Sequence, residues 1–274
     1  MIASGVGPPD VSISSVALAR PRPALDTSVA GRELELIAAD LGVPLLSGVA
    51  DFRLETRCEL YLSVDEIGPY LQLTGRRAPG PVRCRFYDPG MAHRRRGGQN
   101  ELLGRAIGVH RLEHCRVVDA TAGFAGDAFV LADLGARVLM CEQHPLIAAL
   151  LDLSLHHVSS AGLDWRQAAV SRLSVRAGDA CSLPDAELGN DDVLYLDPMF
   201  ATGRRSAAGK GMTLLQRLLS GSAENSAQGL LRWALGRPVQ RVVVKRPLKS
   251  PSLCDLRPSH SLAGRSVRFD VYHL

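Results

Sequence analysis

Apolar and polar positions follow two different patterns along the 274-residue chain. In the first third, short runs alternate apolar and polar residues, which is typical of strands with one buried face. These runs are Glu59–Val64, Tyr70–Leu73 and Val82–Tyr87, and turns rich in glycine and proline separate them. Gly31–Leu41 instead repeats apolar residues at helical spacing. The pattern predicts a small α+β subdomain built on an antiparallel sheet.

From Arg116 onward, apolar strands alternate with apolar helices. The predicted strands are Arg116–Ala120, Arg137–Glu142, Ser174–Gly178, Asp192–Leu196 and Arg241–Lys245. Helices are predicted between them, among them Asp127–Leu134 and Pro145–Val158. This alternation is typical of a doubly wound parallel sheet. Leu262–Tyr272 is predicted to close it with an antiparallel hairpin. The predicted fold class is α/β, with a mostly parallel Rossmann-like sheet and an antiparallel C-terminal strand.

These patterns predict three segments. Residues 1–28 are rich in proline, serine, alanine and glycine, and we interpret them as a flexible tail. Residues 29–87 form the small N-terminal α+β subdomain. Residues 88–274 form the larger α/β domain.

Composition narrows the class of protein. Hydrophobic residues make up 46% of the chain and the formal net charge is +4, so a sizeable core is expected and only local charge is informative. The six cysteines form no C-x-x-C pair, which favours a reducing compartment. No apolar run approaches the roughly 20 residues of a membrane span, and no secretory signal is visible. A cytoplasmic protein without a membrane partner is expected.

The segment Val117–Asp127 combines a predicted buried strand, a turn of small residues and a helix start. Small side chains let a ligand approach the backbone, and the first amides of the helix point toward the turn. Thr121, Gly123 and Gly126 occupy the three glycine positions of the dinucleotide fingerprint, so the match is imperfect. The segment predicts a nucleotide or nucleoside site. The simpler alternative is an ordinary strand-to-helix turn.

Acidic residues follow four successive predicted strands. They are Asp119, Glu142, Asp179 and Asp197. Ligands of open α/β sheets bind beyond the carboxyl ends of the strands. Glu142 lies 19 residues after Gly123, the distance at which an acid reaches ribose hydroxyls. Asp also caps helices, but four acids at successive strand ends favour a nucleoside-bearing cofactor.

Leu196–Phe200 places a carboxylate, a proline and an aromatic ring after an apolar strand. Methyl transfer to an exocyclic amine needs such a set, because the nitrogen lone pair is delocalised into the base. Asp197 can accept from the amine, Pro198 fixes the loop, and Phe200 can stack on the base. The alternative is a strand-ending Asp-Pro turn with a core phenylalanine.

A basic run, His93–Arg96, precedes the glycine turn and is followed by two glycines. It predicts a phosphate-binding loop, although a solvated basic loop fits equally well. The eight histidines show no metal-ligand spacing, so no metal is predicted.

Several of these motifs together resemble the bacterial small-subunit ribosomal RNA guanine-N2 methyltransferases of the RsmJ type. The resemblance covers about residues 87–272. The motifs are MAHRRR at 91–96, DATAGFAGDAFVLA at 119–132, EQHPLIAALL at 142–151, VLYLDPMF at 193–200, RVVVKRP at 241–247 and RFDVY at 268–272. The chain departs from the family pattern where Ala125 replaces a glycine and Gly126 an arginine.

The resemblance implies a class I fold, S-adenosylmethionine as cofactor, and methylation of the 2-amino group of a guanine near the 3′ end of small-subunit ribosomal RNA. The substrate is naked RNA or an assembled 30S subunit. The implied cofactor residues are Asp119, Gly123, Gly126, Asp127, Glu142, Gln143, Asp179, Ala180 and Asp197. The expected RNA-binding residues are His93, Arg94, Arg95, Arg96, Arg204, Arg205, Lys245 and Arg246. For Lys245 and Arg246, a solvated strand end fits equally well. The alternatives are a dehydrogenase, methylation of another amine in nucleic acid or protein, and an inactive RNA-binding relative.

Overall fold

The computed structural model describes residues 16–20, 29–95, 101–110, 115–161, 164–198, 214 and 223–274. They belong to two compact units. The smaller unit contains the described residues up to Glu66 and Tyr70–Val82, with Leu214 and residues 223–225. The larger contains Ile67–Pro69, residues 83–198 and residues 226–274.

In the part of the smaller unit that the structure describes, four strands form a sheet. Its strands are β1 (Val16–Ala19), β2 (Leu45–Leu46), β3 (Leu60–Val64) and β4 (Pro69–Leu73). The strand order is β2-β1-β3-β4, and β1 is parallel to both β2 and β3. Helix α1 (Val29–Leu41) buries Leu34 and Ala38, which share one face of the predicted amphipathic helix.

Three predictions for this region are wrong. The sheet was expected to be antiparallel, but β1 pairs in parallel with both β2 and β3. Val16–Ala19 was assigned to a flexible tail, but all four residues are buried in the middle of the sheet. A strand buried on both faces shows a continuous apolar run without alternation, and β1 pairs in parallel on both sides. The predicted strand Val82–Tyr87 is reduced to one antiparallel bridge between Val82 and Leu71, followed by a 3₁₀ turn at Arg85–Tyr87.

Apart from Ile67–Pro69, the larger unit begins at Arg83, a few residues before the boundary at residue 88 that the sequence predicted. The rings of Phe86 and Phe129 lie 5.5 Å apart, centroid to centroid. The hydroxyl of Tyr87 lies 2.9 Å from Nδ1 of His157. These aromatic contacts incorporate the 3₁₀ turn into the core of the larger unit.

Among the described residues, seven strands form the sheet of the larger unit. They are β5 (Arg116–Asp119), β6 (Arg137–Glu142), β7 (Leu173–Ala177), β8 (Val193–Leu196), β9 (Arg241–Pro247), β10 (His260–Ala263) and β11 (Val267–His273). Their order is β10-β11-β9-β8-β5-β6-β7. The strands from β5 to β9 pair in parallel, whereas β11 is antiparallel to both β9 and β10. The predicted fold class is confirmed.

The central strands of this sheet are apolar on both faces, and helices contact β6, β7 and β11. Six helices follow α1 in the described part of the chain. They are α2 (Gly90–Arg95), α3 (Leu102–Ile107), α4 (Gly126–Asp133), α5 (Pro145–Ala161), α6 (Asp164–Val170) and α7 (Ala223–Leu235). In β8 all four residues are buried, and β5 buries Val117 and Val118 completely. Within the described ranges, no helix is long and apolar enough to cross a membrane.

Candidate active site at the carboxyl edge of the parallel sheet

The four predicted acids lie at one edge of the sheet. Asp119 and Glu142 are the last residues of β5 and β6, and Asp197 immediately follows β8. Asp179 comes two residues after β7. Because these strands are parallel neighbours, their carboxyl ends meet at the same edge, where α/β sheets bind ligands.

The turn between β5 and α4 is held by Glu142. Oε2 of Glu142 accepts from the N–H of Gly123 at 2.9 Å, and Oε1 accepts from the N–H of His144 at 2.8 Å. Gly123 has φ of 51°, in the left-handed region that favours glycine. Ala125 adopts φ of 58° in the same turn, and its N–H donates to the carbonyl of Ala122 at 2.9 Å. The turn therefore forms although alanine replaces the family's glycine.

Thr121 connects the ends of β5 and β8. Its hydroxyl donates to Oδ1 of Asp119 at 3.3 Å and accepts from the backbone N–H of Asp197 at 2.7 Å. The N–H of Thr121 also donates to Oδ1 of Asp119 at 3.0 Å. In the sequence, Thr121 was interpreted only as a small residue of the turn, so this connection was missed. A hydroxyl between two acidic strand ends was the available signal, because such a group can donate and accept.

A charged cluster joins the glycine turn to the Asp-Pro corner. Nζ of Lys245 donates to Oδ2 of Asp127 at 2.7 Å and to Oδ2 of Asp197 at 2.8 Å. The hydroxyl of Tyr195 donates to the same Asp127 oxygen at 2.7 Å. Tyr195 was also missed, although a buried phenol in an apolar strand needs a hydrogen-bond partner and so indicates one.

The cluster contains more negative than positive groups. Burial raises the pKa of Asp119 to about 7, and the charges of Asp127 and Asp197 add to this effect, while bonds from Thr121 oppose it. Burial also raises the pKa of Asp197, and the Lys245 ammonium opposes that change. The paired carboxylates hold the pKa of Lys245 above its usual range despite desolvation. Lys245 is therefore a permanent cation among three carboxyl groups.

The remaining predicted cofactor residues surround this edge. Gly126 and Asp127 open α4, and Gln143 is exposed beside Glu142. Asp179 is exposed, and its Oδ1 caps a 3₁₀ turn by accepting from the N–H of Cys181 at 2.9 Å. Ala180 is buried in that turn. Asp179 therefore has the capping role that the sequence left open, and its exposure leaves it accessible to a ligand.

The predicted catalytic residues are described only in part. Pro198 is buried, which fixes the chain directly after Asp197. Phe200 lies outside the described residues, as do Arg96, Arg204 and Arg205. His93 and Arg94 belong to helix α2, and their side chains are not described.

Two of the predicted RNA contacts need correction. The Lys245 ammonium forms ion pairs with Asp127 and Asp197, so its charge is neutralised inside the cluster and is not directed at RNA phosphates. Arg246 is only 4% exposed, and one of its guanidinium nitrogens donates to the carbonyl of Pro251 at 2.7 Å. Alternation along β9 places these two residues on opposite faces of the sheet. Both residues were predicted as RNA contacts, with a solvated strand end as the alternative, because a sequence shows charge but not burial.

Arg95 lies on the surface with defined partners. Its side chain is 48% exposed, and its Nε lies 3.2 Å from Oδ1 of Asp133. The guanidinium carbon lies 4.8 Å from the centroid of the Trp165 ring, which is a cation–π distance. These contacts anchor the end of α2 to α4 and α6.

The chemistry of the edge fits S-adenosylmethionine. Asp127 and Asp197 pair with one ammonium, and Asp119 interacts with both carboxylates, so a cationic sulfonium would find compensating negative charge. The left-handed turn at Gly123 carries no side chain that would block a ligand. Asp119, Glu142 and Asp179 stand at the ends of β5, β6 and β7, where the methionine, ribose and adenine parts would lie.

Strand order and site together define a class I methyltransferase that depends on S-adenosylmethionine. The family model described as "Putative SAM-dependent methyltransferase" matches residues 47–274. Relatives named "Ribosomal RNA small subunit methyltransferase J" from Halorhodospira halophila and Stutzerimonas stutzeri are each 41% identical. Each alignment covers 86% of this chain and 88% of the relative. The chain belongs to the ribosomal RNA small subunit methyltransferase J family.

A solved structure supports the same assignment. The SAM-dependent methyltransferase from Neisseria gonorrhoeae superposes with a TM-score of 0.68 at 29% identity, over 94% of this chain and 95% of that one. The resemblance drawn from the motifs is confirmed, and so is S-adenosylmethionine as the cofactor.

Proposed function

We propose that this enzyme methylates the 2-amino group of a guanine near the 3′ end of small-subunit ribosomal RNA. The observation that carries the proposal is the environment of Asp197 at the carboxyl end of β8. Its backbone is fixed by Thr121 and its Oδ2 by Lys245. A carboxylate held in this way suits an exocyclic amine, which must be oriented before it can attack.

The chain's own residues bind and orient the reactants. Asp119, Glu142 and Asp179 hold the cofactor along the strand ends, with Asp127 and the amides of the glycine turn beside it. When bound, S-adenosylmethionine supplies an electrophilic methyl group. Asp197 accepts a hydrogen bond from the target amine and directs its lone pair toward that methyl group. Positioning of this kind can supply most of the acceleration for a direct displacement.

The state of Asp197 matters for the proton that the amine loses. A carboxyl with a raised pKa is a better base than an ordinary aspartate, provided that it is ionised. Asp197 therefore serves as hydrogen-bond acceptor first and as proton acceptor after the new N–C bond forms. Pro198 holds the loop, and Phe200 stacks on a guanine that has left its stack.

RNA phosphates are bound by the basic run of α2 and the residues that follow it. Arg95 is exposed at the end of α2, and we assign phosphate contacts to Arg94, Arg95 and Arg96, with Arg204 and Arg205. Both naked RNA and the assembled 30S subunit carry such phosphates. A ribosomal substrate places the reaction in the cytoplasm.

Methyl transfer to unmethylated RNA tests the proposal. The enzyme is incubated with labelled S-adenosylmethionine and small subunits or naked RNA from a strain that lacks it. The RNA is then digested and its nucleosides are analysed by mass spectrometry. N2-methylguanosine at one position supports the proposal, whereas methyladenosine or labelled protein would assign another amine as acceptor. The absence of any transfer would indicate an inactive RNA-binding relative.

The Asp197→Ala variant tests the role of the carboxylate. It should abolish methylation while folding persists. Asp191→Ala is the matched control, because Asp191 is an exposed aspartate in the turn that precedes β8. Turnover of Asp197→Ala close to that of Asp191→Ala would refute the role of Asp197.

A further inference from the structure

The Lys245 ammonium donates hydrogen bonds to two carboxylates that belong to different parts of the site. Asp127 lies in the first turn of α4, directly after the glycine turn, and Asp197 is the proposed amine acceptor. Strand β9 brings Lys245 there by register, since Val244 pairs with Leu196 and places the next residues of both strands side by side. The Lys245 side chain is 25% exposed, so its ammonium is largely withdrawn from water.

Asp197 has one oxygen engaged and one available. Oδ2 accepts from Lys245, and among the described residues no hydrogen bond reaches Oδ1. We propose that Lys245 is a positioning residue that holds Oδ2 of Asp197 so that Oδ1 faces the acceptor amine. Because Lys245 also donates to Asp127, it links the Asp197 carboxylate to helix α4, which follows the glycine turn. This inference rests on the proposed role of Asp197.

Lys245 also controls the charge of Asp197. The groups that face this carboxylate are Lys245 from β9, Asp127 from α4, Asp119 from the end of β5, and the Tyr195 hydroxyl of β8 bonded to Asp127. Lys245 is the cation among these groups. Asp127 and Asp119, together with Asp197 itself, make three carboxyl groups around it. Without the ammonium, like charges would favour the protonated acid. A protonated Asp197 could neither orient the amine nor take its proton.

The test compares Lys245→Met with Lys245→Arg, and Lys249→Met serves as the matched control. Lys249 is exposed in the turn after β9, so the same chemical change is made outside the cluster. Single-turnover methylation is measured from about pH 5.5 to about pH 9. In Lys245→Met the acidic limb of the profile should move up by about one to two pH units, with part of the rate restored at high pH. In Lys245→Arg the acidic limb should stay at its wild-type pH, because the positive charge is kept. The methylation rate should be lower, because a guanidinium holds Oδ2 of Asp197 in a different geometry.

A second measurement is independent of activity. Carboxyl carbon resonances of labelled aspartates are followed by NMR during a pH titration of the cofactor-free protein, and Asp197→Asn identifies the signal of Asp197. The midpoint of that signal should rise in Lys245→Met in parallel with the kinetic limb. The Lys249→Met protein should titrate like the wild type.

The outcomes separate this inference from the proposed function. A Lys245→Met enzyme whose limb and carboxyl titration match the wild type would overturn the inference, as would an equal loss of rate at every pH. Should Lys245→Met not fold, Lys245→Arg decides: a lower rate with unchanged S-adenosylhomocysteine affinity supports positioning, and an unchanged rate overturns it. An active Asp197→Ala variant would instead overturn the proposed function.

Discussion

The hydroxyl of Thr121 accepts a hydrogen bond from the backbone N–H of Asp197 at 2.7 Å. The two residues are 76 positions apart in the chain, and each follows a strand of the sheet. Because the same hydroxyl donates to Asp119, the ends of β5 and β8 are linked through one side chain. The position of the proposed amine acceptor is thus set from the strand that carries the cofactor turn.

Replacing Thr121 by valine should therefore weaken both folding and catalysis. Valine keeps the shape but leaves the Asp197 N–H without its acceptor, at a cost of about 1–3 kcal/mol in the free energy of unfolding. Methylation should fall more steeply than cofactor affinity, because Asp197 loses its anchor. Denaturant unfolding, calorimetry with S-adenosylhomocysteine and the methyl-transfer assay measure the three effects.

Thr121→Ser is the control for this prediction, because it keeps the hydroxyl and removes only a methyl group. It should retain stability to within about 1 kcal/mol, and most of the activity. If serine and valine prove equally harmful, the methyl group rather than the hydrogen bond is what matters.

Glu142→Gln should weaken cofactor binding and loosen the glycine turn. Both carboxylate oxygens accept hydrogen bonds from backbone N–H groups. Glutamine offers one acceptor oxygen and one donor group, so one of these two hydrogen bonds is lost. We expect S-adenosylhomocysteine affinity to fall by about 10- to 100-fold, which corresponds to about 1.4–2.8 kcal/mol. A lower melting temperature with unchanged affinity would make Glu142 a purely structural residue.

The parallel sheet was predictable because its strands are apolar runs that end in acids. The predicted β6, Arg137–Glu142, agrees with the observed strand at both ends. Strand β1 was not predictable in the same way, since Val16–Ala19 is too short and lies in a region rich in proline and serine. Its parallel pairing with β2 and β3 depends on partners that are distant in the chain.

The row of acidic residues at the candidate site was predictable from the sequence. The hydrogen bonds and ion pairs that join these residues to Lys245 and Tyr195 were not. Strand periodicity places Asp119, Glu142 and Asp197 at one edge, because parallel strands end together. The roles of Lys245 and Tyr195 depend on the order of β5, β8 and β9, which local sequence does not determine. A lysine at a strand end therefore suggested RNA binding, whereas the sheet order places it between two carboxylates.

Asp119 should make stability fall as pH rises. Its pKa is about 7 in the folded protein and near 3.8 when unperturbed, so between these values the folded state binds the proton that the unfolded state has released. The stabilisation that Asp119 contributes is therefore fully present below about pH 4 and is lost progressively up to about pH 7. Asp119→Asn should flatten this slope and raise the free energy of unfolding at pH 8 by a few kcal/mol at most.

Chemical unfolding at several pH values checks this prediction. Asp191→Asn is the control, because Asp191 is an exposed aspartate outside the charged cluster. A wild-type slope that persists in Asp119→Asn would assign the pH dependence to another group.

Arg95→Ala should weaken RNA binding without affecting the cofactor site. The Arg95 side chain is half exposed and held by Asp133 and Trp165, so it is oriented before RNA arrives. Loss of one phosphate contact should raise the KM for RNA and reduce the slope of log affinity against log salt by about 1. Arg137→Ala is the matched control, since Arg137 is an exposed arginine at the start of β6, on the opposite edge of the sheet. Equal losses in both variants would indicate general electrostatic attraction, whereas a loss confined to Arg95→Ala places RNA beside helix α2.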